Sequence, residues 1–189
     1  DITSLKETAR ARANLARYLP PNMVDTLAAV DEPFGPPHAQ DVAVLFADLV
    51  DSTRIAERLG PEALHAAMDR CFAVLLDEVH QYEGTVNQVM GDGIMALFGA
   101  PLAHEDHGLR ACYAALRMQD AVKRHAEEIQ RSHGAPIQIR VGLNSGEVVV
   151  GNVGSHKRAK YGVVGTPVNL AGRIESYTVG GQILVAAAH

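Results

Sequence analysis

From residue 41 onward the sequence predicts an α+β fold, one mixed sheet with helices packed on it, closest to the split βαβ, ferredoxin-like palm. Three observations carry this. Short apolar runs such as VAVLF (42–46) and GIMALF (93–98) read as buried strands. Stretches of 3.6-residue periodicity separate them, and Gly or Pro marks most changes of pattern. A chain of 189 residues, 47% hydrophobic and 21% charged, is an ordinary globule that can bury a core without staples.

Residues 2–19 read as a helix, with Ile2, Leu5, Ala9, Ala16 and Leu19 near heptad spacing and Arg12 breaking the seam. Pro20-Pro21 ends it, and Asn22 caps a short helix through Val30. We take residues 1–30 as an N-terminal helical segment, 31–40 (DEPFGPPHAQ) as a linker, and 41–189 as the main domain. After the first strand, ADLVDST opens a helix to Leu59. Gly60-Pro61 then starts another, to about His80, with Leu64, Met68, Cys71, Phe72, Leu75, Leu76 and Val79 on one face.

Residues 85–99 form a hairpin around Gly91-Asp92-Gly93. A long helix over 104–131 turns Leu109, Cys112, Tyr113 and Leu116 inward. Ile137, Ile139, Val141 and Leu143 alternate as a strand, Ser145-Gly146 turns, and 148–150 is a further strand. GNVGSHKRAKYG (151–162) reads as an exposed basic arm. Thr166 as N-cap and Pro167 start a helix to about Ser176, and Gly180-Gly181 turns into a last strand over 182–185.

Composition also excludes functions. No run of about 18 apolar residues occurs, so no segment here is expected to contact or cross a membrane. Seventeen basic against 22 acidic residues, net −5, argue against a nucleic-acid partner, and SHKRAK lacks interleaved aromatics, so it reads as a solvated loop. Cys71 and Cys112 read as buried thiols of a reducing compartment, the cytoplasm, and neither as a disulfide nor as metal ligands. The opening DITSLKETARAR is no signal peptide and lacks an initiator Met, which suggests a piece of a longer protein. HEDH (104–107) reads as helix-start chemistry, and His65, His80 and His125 as helix-surface histidines.

Three features could carry chemistry. Asp48 ends the first buried strand and Asp92 sits at the hairpin tip, so neighbouring strands would bring both carboxylates to one rim. With no basic partner nearby in sequence, such a pair calls for a cation such as Mg²⁺. The plainer reading has Asp48 capping a helix and Asp92 making an Asp-Gly turn. The amides of Asp51, Ser52 and Thr53 open a helix and could bind phosphate, although N-capping is the simpler role and the absence of GxxxxGK[ST] excludes a P-loop. Asn169 and Arg173, four apart on one helical face, could grip a sugar oxygen and a phosphate, or could simply face solvent.

Taken together, VAVLFADLVDST, NQVMGDGIMALFGAP and YGVVGTPVNLAGRIES resemble the class III nucleotidyl cyclase (adenylyl/guanylyl cyclase) catalytic domain, in order and at family separations from Val42 to Val185. The resemblance implies that Asp48 and Asp92, with the backbone carbonyl of Leu49, hold two Mg²⁺ ions per site, with Mn²⁺ able to substitute. It implies that Asn169 orients the ribose and that Arg173 stabilises the phosphate in the transition state. In the family two antiparallel subunits share each site, so a homodimer is expected, with the aspartates from one chain and Asn169 and Arg173 from the other. ATP would be cyclised to 3′,5′-cyclic AMP and pyrophosphate. The N-terminal helices would relay signals from an upstream regulatory domain.

The departures concern the base. Family adenylyl cyclases carry Lys and Asp or Thr where this chain has Gln88 and Gly162, and guanylyl cyclases carry Glu and Cys. Gln88 offers both a donor and an acceptor, so selectivity could be loose. A guanylyl cyclase and a non-catalytic cyclase-homology domain that dimerises or senses nucleotide are the alternatives. Glu147 stands where some relatives have a phosphate-contacting Arg. A further hairpin bearing a phosphate-binding Lys, usual in the family, does not occur before His189.

Overall fold

The computed structural model of the chain describes residues 1–16, 19–28, 34–153 and 160–186. Its helices are α1 (Ile2–Leu15), α2 (Pro21–Ala28), α3 (Ser52–Leu59), α4 (Pro61–Gln81), α5 (His107–His133) and α6 (Thr166–Ser176). Its strands are β1 (His38–Leu49), β2 (Thr85–Met90), β3 (Gly93–Phe98), β4 (Ile139–Val153), β5 (Lys160–Val164) and β6 (Ile183–Val185). They form one sheet in the order β2-β3-β1-β4-β5. Neighbours on this path are antiparallel, and β6 adds to β4 in parallel, so the sheet is mixed as expected.

Alternation along β1 sorts the two faces of the sheet. Ala43, Leu45, Ala47 and Leu49 join α3, α4 and α5 in one core. Val42, Val44 and Phe46 join a second core with Leu15, Leu19, Met23, Leu27, Phe34 and Ala171 of α6. Burial on both faces is why VAVLF is continuously apolar. Asp48 continues the parity of the second face and so emerges on the α6 side. α4 buries the expected stripe, with Cys71, Leu75 and Val79 in the core and Leu64, Met68, Phe72 and Leu76 packed at its edge. Among the described residues no helix is long and apolar enough to cross a membrane.

Several expectations are corrected. β4 runs unbroken through Ser145 and Gly146, which pair with Ala43 and Val42, because the long β1 offers a ladder for its whole length. The glycine there accommodates α6: a Cβ at position 146 would lie 2.8 Å from Pro167 Cγ. β1 begins inside the expected linker, where Ala39 pairs with Val149.

The flanks of the expected basic arm are strands, and Tyr161 is buried, its ring centroid 4.7 Å from that of Phe34. The arm's centre, 154–159, lies outside the described residues, as do Val30 and residues 17–18 of the first helix. α2 begins at Pro21 with Asn22 inside it, and α6 takes Gly165 as its cap residue in place of Thr166.

α5 is rotated from the expected phase. Its buried face is Ala111, Ala114, Ala115, Met118, Val122, His125 and Ile129, while Leu109, Tyr113 and Leu116 are at least half exposed. Small residues let the helix lie close to the sheet, so residue size misleads there. His125 is therefore a core residue rather than a surface one, and His80, also expected at the surface, is partly buried, its Nε2 enclosed without a hydrogen-bond partner among the described residues.

Candidate active site

The β1–β3 register sets the backbone of the Asp92 turn beside that of Asp48. Asp48 pairs opposite Gly93, and the Leu49 N–H donates to the Asp92 carbonyl at 2.9 Å. Glycine at 93 is required by this approach, because a Cβ would lie 2.7 Å from both the Ala47 carbonyl oxygen and Asp48 Cβ. Ser52 Oγ donates to Asp92 Oδ2 at 2.9 Å, tying the hairpin tip to the start of α3. Asp51 holds the N-cap position in the left-handed region (φ 53°) with no side-chain cap bond, so neither Asp51 nor Ser52 spends its side chain on capping. Thr53 is exposed beside them.

The structure supplies a cation that sequence proximity did not. Arg140, opposite Asp48 in the β1–β4 register, donates its Nε–H to Asp48 Oδ1 at 2.8 Å. The same Nε lies 2.7 Å from Glu175 Oε1 on α6. That oxygen is buried and receives no aligned hydrogen bond, since the single Nε–H points at Asp48. Burial, with the neighbouring Asp48 carboxylate adding to it and Arg140 opposing it, pushes the Glu175 carboxyl up to about 7. The hydrogen bond to Asp48, reinforced by the charges of Asp48 and Glu175, raises the Arg140 guanidinium further. The apparent absence of a basic neighbour for Asp48 is thus corrected. The available signal was Arg140 itself, a charge on the alternate face of an apolar strand.

α6 is seated tightly on β4. A Cβ at Gly142 would lie 2.4 Å from the Glu175 backbone nitrogen, and Asn144 Nδ2 donates to the Pro167 carbonyl at 3.1 Å. Asn169 and Arg173 project from the exposed side of this helix, one turn apart, with no side-chain hydrogen bond or ion pair among the described residues. Gln88 is exposed on β2 beside a bulge, and Gly162 pairs with Gly151 on β5. These strands are opposite ends of the path, yet Asn87 Nδ2 donates to the Tyr161 carbonyl at 3.3 Å, which brings the neighbours of Gln88 and Gly162 together.

The rim offers two carboxylates and a backbone carbonyl. This hard oxygen set suits Mg²⁺ or Mn²⁺ when substrate phosphates complete the shell. Among the described residues no cluster of three His, Cys, Asp or Glu side chains is placed to hold a metal by itself. HEDH is occupied otherwise: His104 lies 3.3 Å from Glu83, and Asp106 accepts from Arg110 at 2.8 Å.

Residues 35–189 match the family model described as the adenylate and guanylate cyclase catalytic domain. Among solved structures, the guanylyl cyclase Cya2 is 41% identical with a TM-score of 0.75, covering 80% of this chain and 77% of that one. The adenylyl cyclase CyaB from P. aeruginosa is 30% identical with a TM-score of 0.73, covering 80% and 79%. An adenylate cyclase of Mycobacterium bovis is 34% identical over 179 residues, 95% of this chain and 39% of its own length. Adenylate cyclase 1 of Rhizobium meliloti is 34% identical over 137 residues, 72% of this chain and 20% of its own. The chain therefore spans less than half of these curated relatives. Because the family-model match runs over residues 35–189, most of the chain, the chain belongs to the adenylate and guanylate cyclase catalytic domain family.

Proposed function

We propose that this domain is a homodimeric, divalent-metal-dependent adenylyl cyclase that converts ATP to 3′,5′-cyclic AMP and pyrophosphate. The observation that carries the reading is the rim itself: Asp48 near the end of β1 next to the Asp92 turn, with Asn169 and Arg173 on the exposed side of α6 and without a side-chain partner among the described residues. The ribose O3′ forms a bond to the α-phosphorus, the bond to the pyrophosphate oxygen breaks, and the 3′-hydroxyl proton leaves to solvent.

Asp48, Asp92 and the Leu49 carbonyl would hold the cations, whose positive charge favours the 3′-alkoxide and offsets the triphosphate. The amides of residues 51–53 face the triphosphate. Asn169 positions the ribose, and the Arg173 guanidinium meets charge that develops on the phosphoryl oxygens. On the family pattern these last two serve the site formed with the partner subunit's aspartates.

A second reading, GTP as substrate, is favoured by one observation: the 41% identity to a guanylyl cyclase exceeds the 34% to the adenylate cyclases compared above. Gln88 and Gly162 are the positions proposed to read the base, and an amide at 88 can serve either purine. Product analysis with purified protein, ATP or GTP, and Mg²⁺ or Mn²⁺ tests both. Cyclic AMP as the main product is expected, and cyclic GMP as the main one would replace the first reading by the second. Formation of neither, with a chain extended to the length of its relatives, would leave a non-catalytic homology domain.

A further inference from the structure

We propose that Arg140 and Glu175 are positioning residues forming a counter-ion relay that sets how tightly the rim binds a divalent cation. Arg140 neutralises Asp48 when no cation is bound there. Glu175 accepts the Arg140 Nε–H when Asp48 turns to a cation. The inference rests on the reading of Asp48 and Asp92 as cation ligands.

The geometry points to a shared proton donor. One Nε–H lies between two carboxylate oxygens at 2.8 and 2.7 Å, and it can be aligned with only one of them. It is aligned with Asp48, while the buried Glu175 Oε1 waits without a hydrogen bond. The rest of the guanidinium is held loosely, with Nη2 at 3.5 Å from Asp48 Oδ2 and Nη1 at 3.5 Å from the Ser176 carbonyl. A small tilt therefore transfers the bond. Glu175 cannot follow Asp48, because the close seat of α6 on Gly142 fixes its backbone.

Charge then dictates opposite signs. A guanidinium beside Asp48 repels an incoming cation, and Glu175 offsets that repulsion by sharing the guanidinium. Arg140→Gln should tighten Mn²⁺ binding, and Glu175→Gln should weaken it, each by about tenfold. Loss of rim structure would instead weaken binding in both.

The test is Mn²⁺ titration of the nucleotide-free protein, followed by the paramagnetic resonance signal of the free ion, with Asp92→Asn as control and circular dichroism to monitor folding. Affinities that move in opposite directions support the relay. Shifts of the same sign, or shifts under about threefold in both, overturn it. Should Glu175→Gln fail to fold, Glu175→Asp withdraws the acceptor while keeping its charge, and weaker binding is again expected. Binding undiminished by Asp92→Asn overturns the rim assignment itself and the relay with it. Binding abolished by Asp92→Asn but shifted alike by the two substitutions overturns the relay alone.

Discussion

Gly142→Ala probes the seat of α6 directly. A Cβ at this position would stand 2.4 Å from the Glu175 backbone nitrogen and 2.6 Å from its Cα, where ordinary contact begins near 3.4 Å. Backbone cannot rotate away as a side chain can, so the helix must retreat by about 1 Å. Overpacking of this kind costs about 1–3 kcal/mol, only partly offset by the stiffer unfolded chain. At about 2–4 °C per kcal/mol for a chain of this size, the melting temperature should fall by roughly 2–12 °C.

The same retreat moves Asn169 and Arg173, and a displacement near 1 Å can cost about a hundredfold in rate. Gly172→Ala is the internal control on the same helix. Its Cβ would meet the Phe46 ring at 3.7 Å or beyond, which is ordinary contact, and alanine favours a helix interior by about 0.5–1 kcal/mol. Calorimetry and cyclase turnover of both variants decide the matter. A Gly142→Ala protein that melts with the wild type and turns over within about threefold of it would refute the packing argument.

Other outcomes follow from the same geometry. An equal mixture of Asp48→Ala and Arg173→Ala chains, each nearly inactive alone, should recover about a quarter of wild-type turnover once subunits exchange, since half the dimers are mixed and half their sites intact. Near-zero recovery with exchange confirmed would place the whole site in one chain. Cys71 is buried, and burial pushes its thiol up to about 11, so native protein should resist alkylation there until it unfolds; peptide mapping of the labelled chain checks this. His80 is held below its usual 6.5 by burial, with Asp77 opposing. Its neutral form belongs to the fold, so this contribution is complete above the unfolded value and lost as pH falls below it. His80→Gln should flatten the decline of melting temperature between about pH 7.5 and 5; an unchanged slope would contradict it.

Local chemistry was legible in the sequence where neighbours along the chain determine it. The Asp-Gly turn announced the β2–β3 hairpin, and the doubly apolar VAVLF announced a strand covered on both faces. Asp48 and Asp92 could be placed at one rim because strand ends are set by such local signals. What depends on long-range register was not legible. Arg140 meets Asp48 across 92 residues only because β1 and β4 pair along their whole length. Ser145-Gly146 looked like a turn for the same reason, since nothing local reveals a partner strand long enough to carry the ladder through it. On α5 the larger side chains of Leu109, Tyr113 and Leu116 misled over the first half of the helix. The buried phase is the alanine one, which permits close approach and continues through Met118, Val122 and Ile129.

These misses bear on how the site is built. Parity along β1 sends Asp48 to the α6 side, and parity along β4 sends Arg140 and Gly142 to the same side. One glycine admits the helix, one arginine joins its Glu175 to the rim, and Asn144 holds its first turn. The helix that presents Asn169 and Arg173 is thus fixed to the strand pair that presents Asp48. A rim substitution and a helix-seat substitution should therefore be non-additive in rate, because each disturbs groups the other depends on. Asp92 is tied instead to Ser52 and α3, so its coupling to Gly142 runs only through the cations it shares with Asp48 and should be smaller than that of Asp48; equal coupling energies in double-mutant cycles of kcat/KM would contradict this.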